Sequence, residues 1–221
     1  MSIHGWVEKL RSIQNALLSP EKTKKDKIYQ GDRDESKCRE ILGMKLSISL
    51  VSDDSNSTKG RKLANVKSSS KELVTNLEGH NAALGLVTFG NGVSVETPLT
   101  TDFEVIKKRI HKMEASGKTP FYKAMQAAYE KHLSKAKQEK VLVIDTDGLP
   151  SYESESTILD LGDNIKKEGI TIITIGIGED VNSSFLRRLA STPEDYYFAM
   201  APKDIGTVFS EVTGSLVKKT S

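Results

Sequence analysis

The chain has 221 residues, of which 37% are hydrophobic and 28% are charged, as in ordinary globular proteins. Thirty-two Lys and Arg residues face 30 Asp and Glu residues, so the net charge is +2 and a strongly basic nucleic-acid-binding protein is not expected. Because no run of about 18 apolar residues occurs, no membrane span is predicted. The single cysteine, Cys38, excludes an internal disulfide framework and favours a reducing compartment, the cytoplasm.

Residues 1–43 are predicted to be separate from a domain that spans residues 44–221. An apolar stripe predicts an amphipathic helix over 4–18. Its members are Trp6, Leu10, Ile13 and Leu17. The polar residues 21–37 predict a solvated linker. The N-terminal residues lack the uninterrupted apolar core of a secretory signal, so no such signal is expected.

The first elements of the domain are a strand, a helix and a hairpin. The segment 46–52 is strand-like, and apolar residues at helical spacing follow it up to about Leu77. Two further strands are predicted at 82–90 and 93–99. They are joined by Asn91-Gly92, which favours the tight turn of a β-hairpin.

The second half of the domain alternates between helices and strands. Asp102 is predicted to cap a helix that extends to about Ala115, and Thr119-Pro120 to open another that ends near Leu133. Strands are then predicted at 140–146, 170–177 and 195–200, and helices at about 158–165, 181–189 and 205–216.

This alternation predicts an α/β fold with a doubly wound, mostly parallel sheet and helices on both faces. The hairpin adds one antiparallel edge strand. Ligands of such sheets bind at the carboxyl ends of the strands, near the point where the strand order reverses. The loops that follow the strands are therefore where a functional site is expected.

The loop after the first strand has oxygen-bearing side chains at alternate positions. Asp53, Ser55 and Ser57 can converge there, and oxygen ligands suit a hard divalent cation such as Mg²⁺ or Mn²⁺. A plain polar turn that caps the next helix is the alternative, because Asp and Ser are common turn residues.

Two later loops carry candidate ligands as well. Thr119 lies in Gly117-Lys118-Thr119, which resembles the tail of a phosphate-binding loop but lacks the earlier glycine and the preceding strand. A nucleotide site is therefore not predicted, and a helix cap or a metal ligand remains for Thr119. Asp147 follows the strand at 140–146, either in a plain turn or as a ligand.

In this order and spacing, D-x-S-x-S, G-x-T-P and T-D-G resemble the motifs of the von Willebrand factor A domain family. The resemblance covers residues 45 to about 218 and includes GLVTFG, ITIITIGIGED, FLRRLAS and YYFAM. It implies a Rossmann-like fold with a complete metal-ion-dependent adhesion site that binds Mg²⁺, with Mn²⁺ or Ca²⁺ as alternatives. The implied ligands are Asp53, Ser55, Ser57, Thr119 and, often through water, Asp147.

The family resemblance also implies a function. The cation of such a site keeps an open coordination position, which an Asp or Glu of a protein partner fills. The chain is thus expected to be a non-enzymatic, intracellular adaptor in a multiprotein assembly, for which an AAA+ ATPase is a candidate partner. Neither nucleic acid nor membrane is expected as a partner.

The sequence departs from the family pattern at two positions near the site. Asp145 stands where an apolar residue is usual, and it could add a carboxylate near the metal, pair with a basic residue, or be buried in its protonated form. Lys118 stands where a glycine is common, and it is expected to bring a positive charge near the site.

The sequence leaves two other functions open. In the first, the metal activates water or a phosphate ester in a hydrolase, with Asp54 or Asp145 as the general base. In the second, the metal site is vestigial and the N-terminal helix binds the partner. The four histidines are expected at the surface or in loops, because none shows the spacing of a metal-binding pair.

Overall fold

The computed structural model describes residues 40–220. The predicted N-terminal helix, the polar linker and Cys38 lie outside the described residues, so the boundary between residues 43 and 44 stays a prediction. Among the described residues, no helix is long and apolar enough to cross a bilayer.

From Leu46 onward the described domain contains six strands and six α-helices, and residues 40–42 before them are also helical. The strands are β1 (Leu46–Asp53), β2 (Ala82–Gly90), β3 (Gly92–Thr100), β4 (Glu139–Thr146), β5 (Ile170–Ile177) and β6 (Tyr196–Ala199). The helices are α1 (Arg61–Asn76), α2 (Phe103–Lys112), α3 (Phe121–Ala128), α4 (Glu155–Lys167), α5 (Ser183–Leu189) and α6 (Ile205–Thr220). A π-helical turn, Tyr129–Leu133, continues α3.

The strands form one sheet in the order β3-β2-β1-β4-β5-β6. Every neighbouring pair is parallel except β2 and β3, which form the predicted hairpin at one edge. The chain leaves β1 for β2 on one side and later returns to β4 on the other side, so the strand order reverses between β1 and β4. The predicted fold class is confirmed, and the switch point is the place where a ligand site is expected.

Helices cover both faces of the sheet, which explains why the central strands are apolar. One face packs against α1, α2 and α6, and the other against α3, α4 and α5. Every residue of β1 is buried, including Ser47 and Ser49, which have no exposed surface. Since β1 is covered on both sides, any polar side chain on it needs a partner inside the protein.

His132 is buried, so the expectation of a surface or loop position was wrong for this residue. It lies on the π-helical turn, its Nδ1 is 2.7 Å from the Ser49 hydroxyl, and only 3% of its surface is exposed. Its ring packs against β2 at Gly85, where a methyl group would lie 2.5 to 2.8 Å from ring atoms. Burial lowers the pKa of His132 to about 4, so the ring is neutral at physiological pH.

Helix α2 ends three residues earlier than predicted. Asp102 caps it as expected, by accepting a hydrogen bond from the Val105 amide, but the helix stops at Lys112. The chain then forms a loop whose backbone makes hydrogen bonds to the loop after β1 and to the end of β2. The Ser116 amide donates to Asp54 O at 2.8 Å, and the Lys118 amide donates to Gly90 O at 3.1 Å. These tertiary hydrogen bonds replace the last helical turn.

Candidate metal site

The carboxyl ends of β1 and β4 bring the candidate site together. Asp53 is the last residue of β1, and Asp147 directly follows β4. The two strands are neighbours in register, with Ser52 opposite Asp145. Asp53 and Asp147 therefore flank the switch point, and both are essentially without exposed surface.

Hydrogen bonds orient the two carboxylates and connect them to serine hydroxyls. The Ser55 amide donates to Asp53 Oδ1 at 2.8 Å, and the Thr146 hydroxyl donates to Asp53 Oδ2 at 2.5 Å. On the other side, the Ser57 hydroxyl donates to Asp147 Oδ1 at 2.6 Å and lies 2.9 Å from the Ser55 hydroxyl. Hydrogen bonds through Ser55 and Ser57 thus connect the ends of the two strands.

Thr119 completes this set from the loop between α2 and α3. The Asn56 amide donates to Gly117 O at 3.2 Å, and Gly117 has a φ of 75°, a backbone conformation that favours glycine. A methyl group on Gly148 would lie 3.6 Å from both the Ser57 hydroxyl and the Thr119 hydroxyl. The five residues predicted as ligands are therefore close together in the structure.

Lys62 is a member of the site that the sequence analysis missed. It lies in the first turn of α1, and its Nζ is 2.8 Å from Asp147 Oδ2. A methyl group on Gly178, in the loop after β5, would lie 3.3 Å from the same Nζ. No local sequence motif indicates this role for the lysine. It depends on the orientation of α1, which begins shortly after the first loop and places Lys62 beside Asp147.

Burial dominates the electrostatics around the switch point. Desolvation raises the pKa of Asp53 to about 6, and repulsion by Asp147 adds to this effect. Desolvation and the charge of Asp53 also raise the pKa of Asp54 to about 6. A bound divalent cation would favour the ionised forms of both acids and so offset the effect of burial.

Asp145 is buried on the face of the sheet opposite to Asp53. Alternation along β4 groups it with Val141 and Val143, which pack against the face covered by α1, α2 and α6. The Ser52 hydroxyl donates to its Oδ2 at 2.5 Å, while its Oδ1 has no hydrogen-bond partner. Desolvation raises the pKa of Asp145 to about 8. Of the three roles considered from sequence, a buried protonated acid agrees with these observations.

The donor set fits a hard cation better than a soft one. No group of three or more His, Cys, Asp or Glu residues that could hold a metal occurs within residues 40–220. The candidate set instead combines two carboxylates with three hydroxyl groups, all of them oxygen donors. Such donors suit Mg²⁺, Mn²⁺ or Ca²⁺. The negative charges of the two carboxylates nearly balance the charge of a divalent ion.

Comparisons with known proteins agree with this architecture. The chain is similar to an uncharacterized protein from Synechocystis sp., with 26% identity over 153 residues, or 67% of this chain and 36% of the relative. The chain thus spans about a third of the length of this curated relative.

Solved structures with the same fold come from different sources. The von Willebrand factor domain of the type V pili tip protein Mfa5 from Porphyromonas gingivalis has a TM-score of 0.71 and 11% identity, covering 81% of this chain and 97% of that one. Proximal thread matrix protein 1 from the mussel byssus, described with a zinc-occupied metal-ion-dependent adhesion site, has a TM-score of 0.69 and 20% identity, covering 80% and 46%. At these identities the likeness establishes the fold alone.

The family model of the von Willebrand factor type A domain matches residues 47–211, which are most of the chain. Together with the doubly wound sheet and its order of strands, this match means that the chain belongs to the von Willebrand factor type A domain family.

Proposed function

We propose that this protein is a non-enzymatic interaction module that binds Mg²⁺ and uses it to capture an acidic side chain of a protein partner. The proposed ligands are Asp53, Ser55, Ser57, Thr119 and Asp147. Mn²⁺ and Ca²⁺ are alternative occupants of the same oxygen donors. The convergence of these five residues at the switch point is the observation that carries the proposal.

The charge of the site supports the capture of a carboxylate. Asp53 and Asp147 supply two negative charges, and Lys62 adds a positive charge at hydrogen-bond distance from Asp147. When Mg²⁺ is bound, it supplies a Lewis-acidic centre for one further oxygen ligand. The exposed residue Ser57 lies on the open side of the site, where a partner's side chain can approach.

A hydrolase receives less support, because both candidate bases are engaged elsewhere. Asp145 accepts a hydrogen bond from Ser52 on the sheet face that α1, α2 and α6 cover. The carboxyl group of Asp54 lies over β2, where a methyl group on Gly90 would be 2.7 Å from its Oδ1. Neither acid belongs to the hydrogen-bonded set that joins Asp53 to Asp147.

One observation favours a vestigial site as the second candidate. Lys62 already neutralises one oxygen of Asp147 and could take the role of a metal ion as the partner of that carboxylate. In that case the domain would contact its partners without a metal. Direct measurement of metal binding distinguishes the two functions.

Metal binding is tested by calorimetric titration of the full chain with Mg²⁺ and Mn²⁺. Replacing Asp53 or Asp147 by alanine is expected to weaken binding by about 100-fold or more, because each removes a charged ligand. Asp160→Ala removes an exposed carboxylate on α4 and serves as the matched control. Equal affinity in wild type and Asp53→Ala would overturn the proposed site.

Partner capture is tested by affinity purification from a lysate of the source organism. The arms are wild type with Mg²⁺, wild type with EDTA, and Asp53→Ala with Mg²⁺. A partner retained only in the first arm supports the adaptor function, and its identity tests the proposed AAA+ ATPase assembly. A partner retained equally in all three arms contradicts the metal-dependent mechanism.

We also propose that the protein acts in the cytoplasm. The support is its single cysteine, Cys38, which cannot form an internal disulfide. Fractionation of cells that carry a tagged full chain tests this location, and recovery of the protein outside the cytoplasm would contradict it.

A further inference from the structure

Two exposed apolar side chains lie beside the candidate metal site. Leu149 is 52% exposed and Tyr152 is 63% exposed, and both follow Asp147 in the loop between β4 and α4. Gly148, directly before Leu149, lies against the Ser57 and Thr119 hydroxyls. Apolar surface is therefore placed next to the oxygen donors.

Hydrogen bonds fix the loop that carries these side chains. The Ser151 amide donates to Thr119 O at 3.0 Å, and the Thr119 amide donates to the Ser151 hydroxyl at 3.1 Å. The loop after β4 is thus paired with the loop that supplies Thr119. These hydrogen bonds stabilise a loop conformation in which Leu149 and Tyr152 are both exposed.

Lys118 adds a positive charge to the same surface. Its Nζ lies 5.6 Å from the centre of the Tyr152 ring, which is the geometry of a cation–π contact. Lys118 is exposed and makes no ion pair with a carboxylate among residues 40–220. We call Lys118, Leu149 and Tyr152 the site rim.

We propose that the site rim selects partner segments in which the captured Asp or Glu is flanked by an apolar or aromatic residue. This inference rests on the proposed function, because the carboxylate must first reach the metal. The flanking side chain would then cover Leu149 and Tyr152, and Lys118 would attract the acidic segment. The rim therefore determines the sequence preference, whereas the metal supplies the requirement for an acid.

The inference can be tested with displayed heptapeptides that have a fixed central Asp and random flanking residues, selected on the immobilised full chain with Mn²⁺. A second library with a fixed central Asn tests whether binding requires the negative charge of the central residue. Wild type is expected to enrich the Asp library, with Leu, Phe, Tyr or Trp at a flanking position. The best peptide is expected to bind about tenfold more weakly when the two apolar rim residues are replaced together, as in Leu149→Ser with Tyr152→Ser.

Leu42→Ser is the matched control variant. Leu42 is 59% exposed but precedes β1, at the amino ends of the parallel strands. This variant should keep the full flanking preference. The double rim variant should still select Asp over Asn and should bind Mn²⁺ with unchanged affinity, because no rim residue is a proposed ligand.

Two results would overturn the inference, and they can be told apart. If wild type selects Asp without any flanking preference, or if the double rim variant keeps the preference, the rim does not select partners although the proposed function stands. If wild type does not prefer Asp to Asn, the proposed function itself fails, and the inference fails with it.

Discussion

Lys62 Nζ lies 2.8 Å from Asp147 Oδ2, so the chain itself supplies a positive charge to the candidate metal site. Asp147 has no exposed surface, and 26% of the lysine side chain is exposed. In this position the ammonium group stabilises the buried carboxylate when no metal is present. It also repels a divalent cation that binds to the same acid.

Replacing Lys62 by methionine should therefore raise the affinity for Mg²⁺ by about tenfold, because the competing charge is lost. In EDTA the same variant should be less stable by about 1 to 2 kcal/mol, since Asp147 loses its partner. Calorimetric titration and urea unfolding measure the two effects.

Lys71→Met is the control for this pair of effects. It removes the same charge from α1 at a position without a carboxylate partner among the described residues. Its affinity for Mg²⁺ should stay close to that of the wild type. If Lys62→Met binds Mg²⁺ no more tightly than Lys71→Met, the lysine does not compete with the metal.

Binding of Mg²⁺ should weaken as the pH falls below about 6. Burial raises the pKa of Asp53 to about 6, so protons compete with the metal for this carboxylate below that value. Titrations at pH 8, 7, 6 and 5 should give a plateau above pH 7 and a loss of up to about tenfold between pH 6 and pH 5. A flat affinity from pH 8 to pH 5 would contradict a role of Asp53 as a ligand.

Asp145→Asn should stabilise the metal-free domain at neutral and alkaline pH. The pKa of Asp145 is raised to about 8 in the folded protein, so folding takes up a proton between about pH 4 and pH 8. The stability of the wild type therefore falls as the pH rises through this range, and asparagine removes the loss, which amounts to a few kcal/mol at pH 8.

The measurement for Asp145 is urea unfolding in EDTA at pH 4, 6 and 8. The gain from Asp145→Asn should be small at pH 4 and largest at pH 8. Asp160→Asn changes an exposed acid and should show no such trend. A gain that is equal at all three pH values would mean that ionisation of Asp145 is not its cause.

Gly85→Ala should destabilise the domain by about 2 kcal/mol, because the added methyl group would overlap the ring of His132. Removing the ring with His132→Ala should leave room for it. In a double-mutant cycle followed by urea unfolding, the combined variant should lose less stability than the sum of the two single losses. Strict additivity would show that the ring is not what excludes a side chain at position 85.

Much of the fold could be predicted from local patterns. Asn91-Gly92 marked the hairpin, Asp102 marked a helix cap, and the apolar runs marked the central strands, because turn chemistry, capping and burial act over a few residues. The end of α2 could not be predicted, since the backbone of Ser116 and Lys118 bonds to distant loops instead of continuing the helix.

The oxygen donors of the candidate site could be assigned to the ends of particular strands, because D-x-S-x-S, Thr119 and Asp147 each lie within one loop. Their surroundings could not be predicted, because they arise from tertiary packing. This packing brought Lys62 to Asp147, buried Asp145 beneath α1, α2 and α6 and paired Ser151 with the Thr119 loop. These relationships depend on how helices and loops pack across the sheet, and no spacing along the chain encodes that packing.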